Sequence, residues 1–209
     1  MSTRSHRIEL SPRPGGIGES TGSKGPSSVV VQHGSLEQLT RFAAGGHLYA
    51  FMDNAYAPMA LPCITEFAPE RITRLLPPTP NEEIPMLVHV DEHILEIITS
   101  TVGKEPWGVF AIAKATSTEL WRHFRRYLVL KLPDGDKCQF RFYDPRLLPI
   151  YLYGCEDWEL KKFFGPVRGF AIQNQEGMSL FQQPAVPESP LTQGHTDPNF
   201  SIVRYLRRS

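Results

Sequence analysis

The chain has 209 residues, enough for one domain with a sizeable core and too few for two well-buried ones. Its 22 basic and 22 acidic side chains cancel, so no global field steers it toward nucleic acid, an anionic membrane or an acidic substrate, and electrostatic recognition has to be local. Cys63, Cys138 and Cys155 are widely spaced and form no CxxC pair, which argues against a disulfide framework and a zinc ribbon.

The N-terminal stretch has no apolar h-region, and no run approaches the roughly 20 apolar residues of a membrane span, so the expected location is the cytoplasm. Residues 1–34 are rich in Ser, Gly and Pro and read as a flexible tail that cannot offset its ordering entropy by burial. In "SLEQLTRFAAGG", Ser35 and Gln38 have capping-box spacing and Gly45-Gly46 supply a stop, which predicts a helix from Leu36 to Ala44. "HLYAFMDN" reads as the first buried strand. From Ala57 to Pro85, seven prolines fragment the chain into short helical pieces and a loop. "MLVHV" is a second strand, "EHILEIITSTVG" a helix with Asp91 as its cap, and "WGVFAIA" a third strand, an alternation that suggests βαβ units.

Thr116 and Glu119 open the next helix, "STELWRHFRRY". Leu120, Trp121, Phe124 and Tyr127 gather on one side of it, Arg122 and Arg126 point away, and His123 and Arg125 flank. "YLVLKL" and "KCQFRFY", separated by "PDGD", predict an antiparallel hairpin with Leu128, Leu130, Leu132, Cys138, Phe140 and Phe142 on one face. Val129, Lys131, Gln139, Arg141 and Tyr143 share the other. Asp144 is placed to cap a following helix with Pro145 in its first position, and Asp157 to cap "DWELKKFFGP", which ends at Gly165-Pro166. "VRGFAIQ" adds a last strand, and residues 178–209 read as a polar tail. The expectation is thus a single α/β domain over residues 35–177, with a mixed sheet, packed helices and a late antiparallel hairpin.

"HVDEH" matches the H-x-x-E-H spacing in which two histidines hold zinc and a glutamate acts as base, so a zinc hydrolase built on His89, Glu92 and His93 is the enzymatic alternative. That chemistry needs the motif on one helix, whereas His89 falls in a strand and Asp91 at a strand-to-helix junction. No cysteine sits in a recognisable nucleophile turn, no GxSxG elbow exists, and "PGGIG" follows no strand, so no catalytic residue, cofactor or metal is expected. The arginines of "WRHFRRY" follow helical periodicity and form no stacking platform, so a solvated face is preferred to a nucleic-acid site. "FRFYDPR", Phe140 to Arg146, carries two readings together. Phe140 and Phe142 enter the core and Arg141 and Tyr143 face elsewhere, while Arg141, Asp144 and Arg146 form a charged cluster at a strand end, suited to contacting another protein.

The ordered strings "HLYAFMDNA", "MLVHVD", "WGVFAIA", "ELWRHFRRYLVLKLPDGDKCQFRFYDPRLLPIYL" and "LKKFFGPV" resemble the family of type VI secretion effector chaperones, or adaptors, over roughly Leu48 to Val167. The resemblance implies a cytoplasmic, non-enzymatic protein that binds a toxin effector and helps load it onto the VgrG spike, with neither nucleic acid nor membrane as partner. The family's signature maps onto Phe140, Arg141, Phe142, Tyr143, Asp144, Pro145 and Arg146, and its arginine-rich helix onto Leu120, Arg122, His123, Phe124, Arg125 and Arg126. The resemblance carries over no cargo-specific contact, and the candidate partner-binding residues are Arg122, Arg125, Arg126, Arg141, Tyr143, Asp144 and Arg146. The second strand departs from the family's aromatic-proline entry, with Ile84-Pro85-Met86 in its place.

Overall fold

A computed structural model describes residues 29–77, 84–102, 105–131, 137–174 and 177–183. The strands are β1 (Val30–Gly34), β2 (Leu48–Met52), β3 (Ile72–Arg74), β4 (Met86–Val90), β5 (Gly108–Ala113), β6 (Val129–Lys131), β7 (Lys137–Gln139), β8 (Val167–Asn174) and β9 (Gly177–Gln182). The helices are α1 (Leu36–Ala44), α2 (Ala60–Phe67), α3 (Glu92–Thr101), α4 (Ser117–Phe124), α5 (Leu148–Gly154) and α6 (Asp157–Phe164). Seven strands make one open sheet in the order β1-β9-β8-β5-β2-β4-β3, and β6 and β7 pair apart from it as the expected hairpin.

The α/β architecture with packed helices is as expected, but every pairing in the large sheet is antiparallel rather than mixed. β4, α3 and β5 do form a β-α-β crossover. Its two strands run parallel with β2 inserted between them, a split unit in which each neighbouring pair is antiparallel. The mixed-sheet expectation came from the alternation of strands and helices, which is usual where βαβ units build a parallel sheet covered on both faces. Here the sheet is covered on both faces although it is antiparallel, so β2 and β5 are buried at every position.

Period-two alternation sorts β2 between two cores. Tyr49 and Phe51 join one with Leu120, Phe124, Phe142, Leu160 and Phe163, beneath α4, α5 and α6. Leu48, Ala50 and Met52 join the other with Leu39, Phe42, Ile64, Ile94 and Ile98 from α1, α2 and α3.

α1 occupies the predicted residues, with both hydrogen bonds of its Ser35–Gln38 capping box formed. Asp91 caps α3, its Oδ1 accepting from the Ile94 N–H at 2.8 Å, and its Oδ2 lies 3.3 Å from Arg71 Nη2. Two other caps are corrected. Glu156 is the N-cap of α6, in a capping box with Glu159, and Asp157 is its first helical residue. α5 begins at Leu148, with Pro149 in its first turn, after a turn that Asp144 organises without capping the helix.

The domain bounds expected at 35 and 177 move outward. Val30–Gly34 is an edge strand paired with β9, and Gly177–Gln182 pairs with both β1 and β8. Residues 1–28 and 184–209, read as tails, lie outside the described residues.

Candidate partner-binding surface

The hairpin register places Val129 opposite Gln139 and Leu130 opposite Cys138, as the alternation predicts. The Phe140 N–H then donates to the Leu128 carbonyl at 2.8 Å. The strand pattern ends there, so the faces of the following residues no longer alternate. Phe142 is fully buried, its ring 5.1 Å from Phe51, 5.0 Å from Phe124 and 5.8 Å from Phe163. Tyr143, expected on the opposite face, is only 2% exposed and lies edge-on to Phe142, with its hydroxyl accepting a hydrogen bond from Gln139 Nε2 at 3.1 Å. Burial, reinforced by the Asp53 charge, pushes the Tyr143 hydroxyl up to about 12, so it stays protonated at neutral pH.

Arg141 pairs with Asp53, from the turn after β2, rather than with Asp144. Asp53 is buried, and its Oδ1 also accepts from the Ala55 N–H at 3.1 Å. Burial penalises the Arg141 charge, but the charge and hydrogen bond of Asp53 outweigh that and raise the guanidinium above its ordinary range. Asp144 is buried as well. Its Oδ1 accepts from both the backbone N–H and Nε of Arg146 at 2.9 Å, and its Oδ2 from Nη2 at 2.6 Å. This fork is the bidentate geometry a guanidinium and a carboxylate favour, and the hydrogen bonds to Asp144 hold Arg146 firmly protonated. The Tyr56 ring faces both cations, 5.8 Å from Arg141 and 5.4 Å from Arg146.

"FRFYDPR" is therefore a latch, with Phe142 anchored in the core and two arginines tying buried carboxylates from separate segments around Tyr56. Tyr143 and Asp144 hold the latch from inside and present almost no surface. Arg146, with 59% of its side chain exposed, is the member that faces solvent most.

α4 lies on the same core but presents a different surface. Its capping box is complete, and hydrogen bonds from the Thr116 backbone and hydroxyl lower the carboxyl of Glu119 below its ordinary value. Arg122, Arg125 and Arg126 are exposed as expected, with Arg125 4.7 Å above the Trp121 ring. His123, expected on a flank, is buried. Arg126 Nη2 lies 2.6 Å from His123 Nδ1 and His123 Nε2 lies 2.7 Å from the Phe163 carbonyl. Arginine only donates, so Nδ1 accepts and the Nε2–H donates to the carbonyl, which defines a neutral imidazole.

Asp53 and Tyr56 are the site residues missed in the sequence, and the burial of His123 was missed with them. The spacing of Leu120, His123 and Phe124 on one helical face signals a buried histidine. Nothing local signals that Asp53 meets Arg141.

The H-x-x-E-H string does not assemble. His89 lies on β4, stacked 4.8 Å from Tyr49 with Nε2 3.3 Å from the Gly46 carbonyl, whereas Glu92 and His93 open α3 and His93 lies edge-on to Phe67. Among the described residues, no three His, Cys, Asp or Glu side chains are grouped to hold a metal ion. No helix among them is long and apolar enough to cross a membrane. Cys63 and Cys155 are free, and Cys155 is buried, which raises its thiol above the ordinary value.

Fold and site together define an α/β domain with an arginine-locked turn beside an arginine-lined helix. The chain belongs to the family described as a domain of unknown function, DUF4123, which matches residues 48–162, from the start of β2 into the last turn of α6. No curated protein and no solved structure matches it.

Proposed function

We propose that this chain is a non-enzymatic adaptor that binds a toxin effector in the cytoplasm and helps load it onto the VgrG spike of a type VI secretion system. The observation that carries the reading is the family match, which covers both the arginine helix and the whole of "FRFYDPR". The latch adds physical support, since its two buried carboxylates are each paired with an arginine and it turns outward an arginine rather than a nucleophile or a base. Arg146 keeps N–H groups beyond those bonded to Asp144, and these suit a carboxylate on a protein partner. Arg122, Arg125 and Arg126 offer a second basic surface. In this reading neither nucleic acid nor membrane is a partner.

The test is co-purification from cells that express the neighbouring genes. The expected result is a complex of this chain with one effector, joined by VgrG through that effector. Recovery of the chain alone under mild conditions, with both neighbours soluble and abundant, would overturn the reading.

A further inference from the structure

α2 carries apolar side chains on both of its sides. Ala60, Leu61 and Ile64 are buried in the core, while Met59, Pro62, Cys63 and Phe67 recur at helical spacing on the outward side. Met59 and Phe67 are 64% and 67% exposed. Beside this outward stripe an open groove of about 430 Å³ lies between α2 and the β3–β4 edge of the sheet. Leu61, Pro62, Ile72 and Met86 give it an apolar lining, and Asn54 and Glu66 add polar groups. β3 is the outermost strand, so no further strand of the described sheet continues the lining past Ile72.

Glu66 is the one charged residue of Ala60–Phe67, and it falls within the apolar stripe. Among the described residues, no cation lies within ion-pairing distance of it. Helix stability does not account for it, because the last turn of a helix favours a cation and α2 has none there. An unpaired carboxylate bordering an apolar groove is complementary to an apolar side chain with a lysine or arginine beside it. A second copy meets that description poorly. A two-fold contact of α2 with itself brings each Glu66 onto a helix without a basic residue. Asn54 also connects the groove to the latch. It follows Asp53, which Arg141 holds, and stands two residues before Tyr56, whose ring faces Arg146, so the groove and the exposed arginine border the same turn.

We propose that this groove is the effector-docking site, taking an apolar side chain of the effector between α2 and the β3–β4 edge and a neighbouring lysine or arginine of the effector on Glu66. The identity of the partner rests on the adaptor reading, whereas the chemistry of the docked segment follows from the groove.

The probe is the purified product of the neighbouring effector gene. A photo-crosslinking amino acid at Thr65, which lines the groove and is exposed, should join to the effector, and the joined peptide should carry an apolar residue with a lysine or arginine beside it. Glu66→Lys should weaken binding by about tenfold or more, because it sets like charges against each other. Changing the effector cation found by crosslinking to glutamate should restore binding to the Glu66→Lys chain and weaken binding to the parent. Both positions are exposed and a lysine suits the last turn of α2, so melting should be unchanged. If the parent chain does not bind the effector at all, the adaptor reading falls and the docking site with it. If the parent binds but Thr65 gives no crosslink, or Glu66→Lys binds as the parent does, the groove is overturned and the adaptor reading stands. Crosslinks from Thr65 to a second copy of this chain, with a dimer mass in light scattering, assign the groove to self-association and overturn the proposal as well.

Discussion

Within "FRFYDPR", neighbouring side chains have separable consequences. Phe142→Ala removes a ring packed on five others, and the expected loss is about 3–5 kcal/mol in urea unfolding, since the cavity cannot collapse against a rigid sheet. Arg141→Ala leaves the buried Asp53 carboxylate without its cation; because about a third of Arg141 is exposed, water offsets part of the cost, and the expected loss is about 1–3 kcal/mol. Asp53→Asn with Arg141→Ala should recover part of that loss, because no buried charge is then left alone. Arg146→Ala takes the cation and two side-chain donors from the buried Asp144 and leaves it the Arg146 backbone N–H, so the expected loss is about 1–3 kcal/mol in a domain that stays folded, and effector capture measured below its melting temperature falls. Unchanged capture by the folded variant would make the latch structural and move the partner surface elsewhere.

At the scale of elements, α4 and α6 are fastened through His123. Burial, together with the Arg126 charge, lowers its pKa and outweighs the hydrogen bond to the Phe163 carbonyl. In the unfolded chain the same imidazole titrates near its ordinary value of about 6.5. Above that value both states are neutral and stability is complete. As the pH falls below it, the unfolded chain takes up a proton that the folded one refuses, and stability declines toward the folded pKa. Melting measured between pH 7.5 and 5 should fall for the parent and fall less for His123→Gln; parallel curves would remove His123 from the account. Gly165 completes the joint. Its φ is +51°, and a Cβ there would lie 2.1 Å from His123 Cε1, so Gly165→Ala should displace the imidazole and lower the melting temperature at every pH. The caps of α1, α3 and α4 were legible because a cap is an i to i+3 relation written within one turn. The α6 cap was misplaced by one residue because "ED" offers two adjacent acids and either can cap.

Across the whole molecule, strand existence was legible where it depends on local pattern and illegible where it depends on a partner. β2 and β5 are apolar throughout, β4 is interrupted only by His89, and all three announce themselves. Val30–Gly34, "VVQHG", looks like part of a polar tail because an edge strand needs few apolar side chains once backbone hydrogen bonds to β9 supply its order. Pairing direction was equally hidden, since β2 enters between β4 and β5 by long-range contacts that no window of sequence contains. The family match begins at β2 and ends in α6, so β1, β8 and β9 complete the sheet from outside it. β1 then has a specific duty. It covers the open edge of β9, and Val29 and Val31 pack on the core beneath α5 and α6. A chain starting at Val29 keeps β1 and is the reference. One starting at Ser35 should expose the β9 edge and those apolar contacts, melt at lower temperature, and associate on size exclusion in a concentration-dependent way, because an unpaired strand edge is a template for a second chain. Equal melting and elution for both truncations would show that β1 adds nothing to the sheet and that its pairing with β9 is incidental.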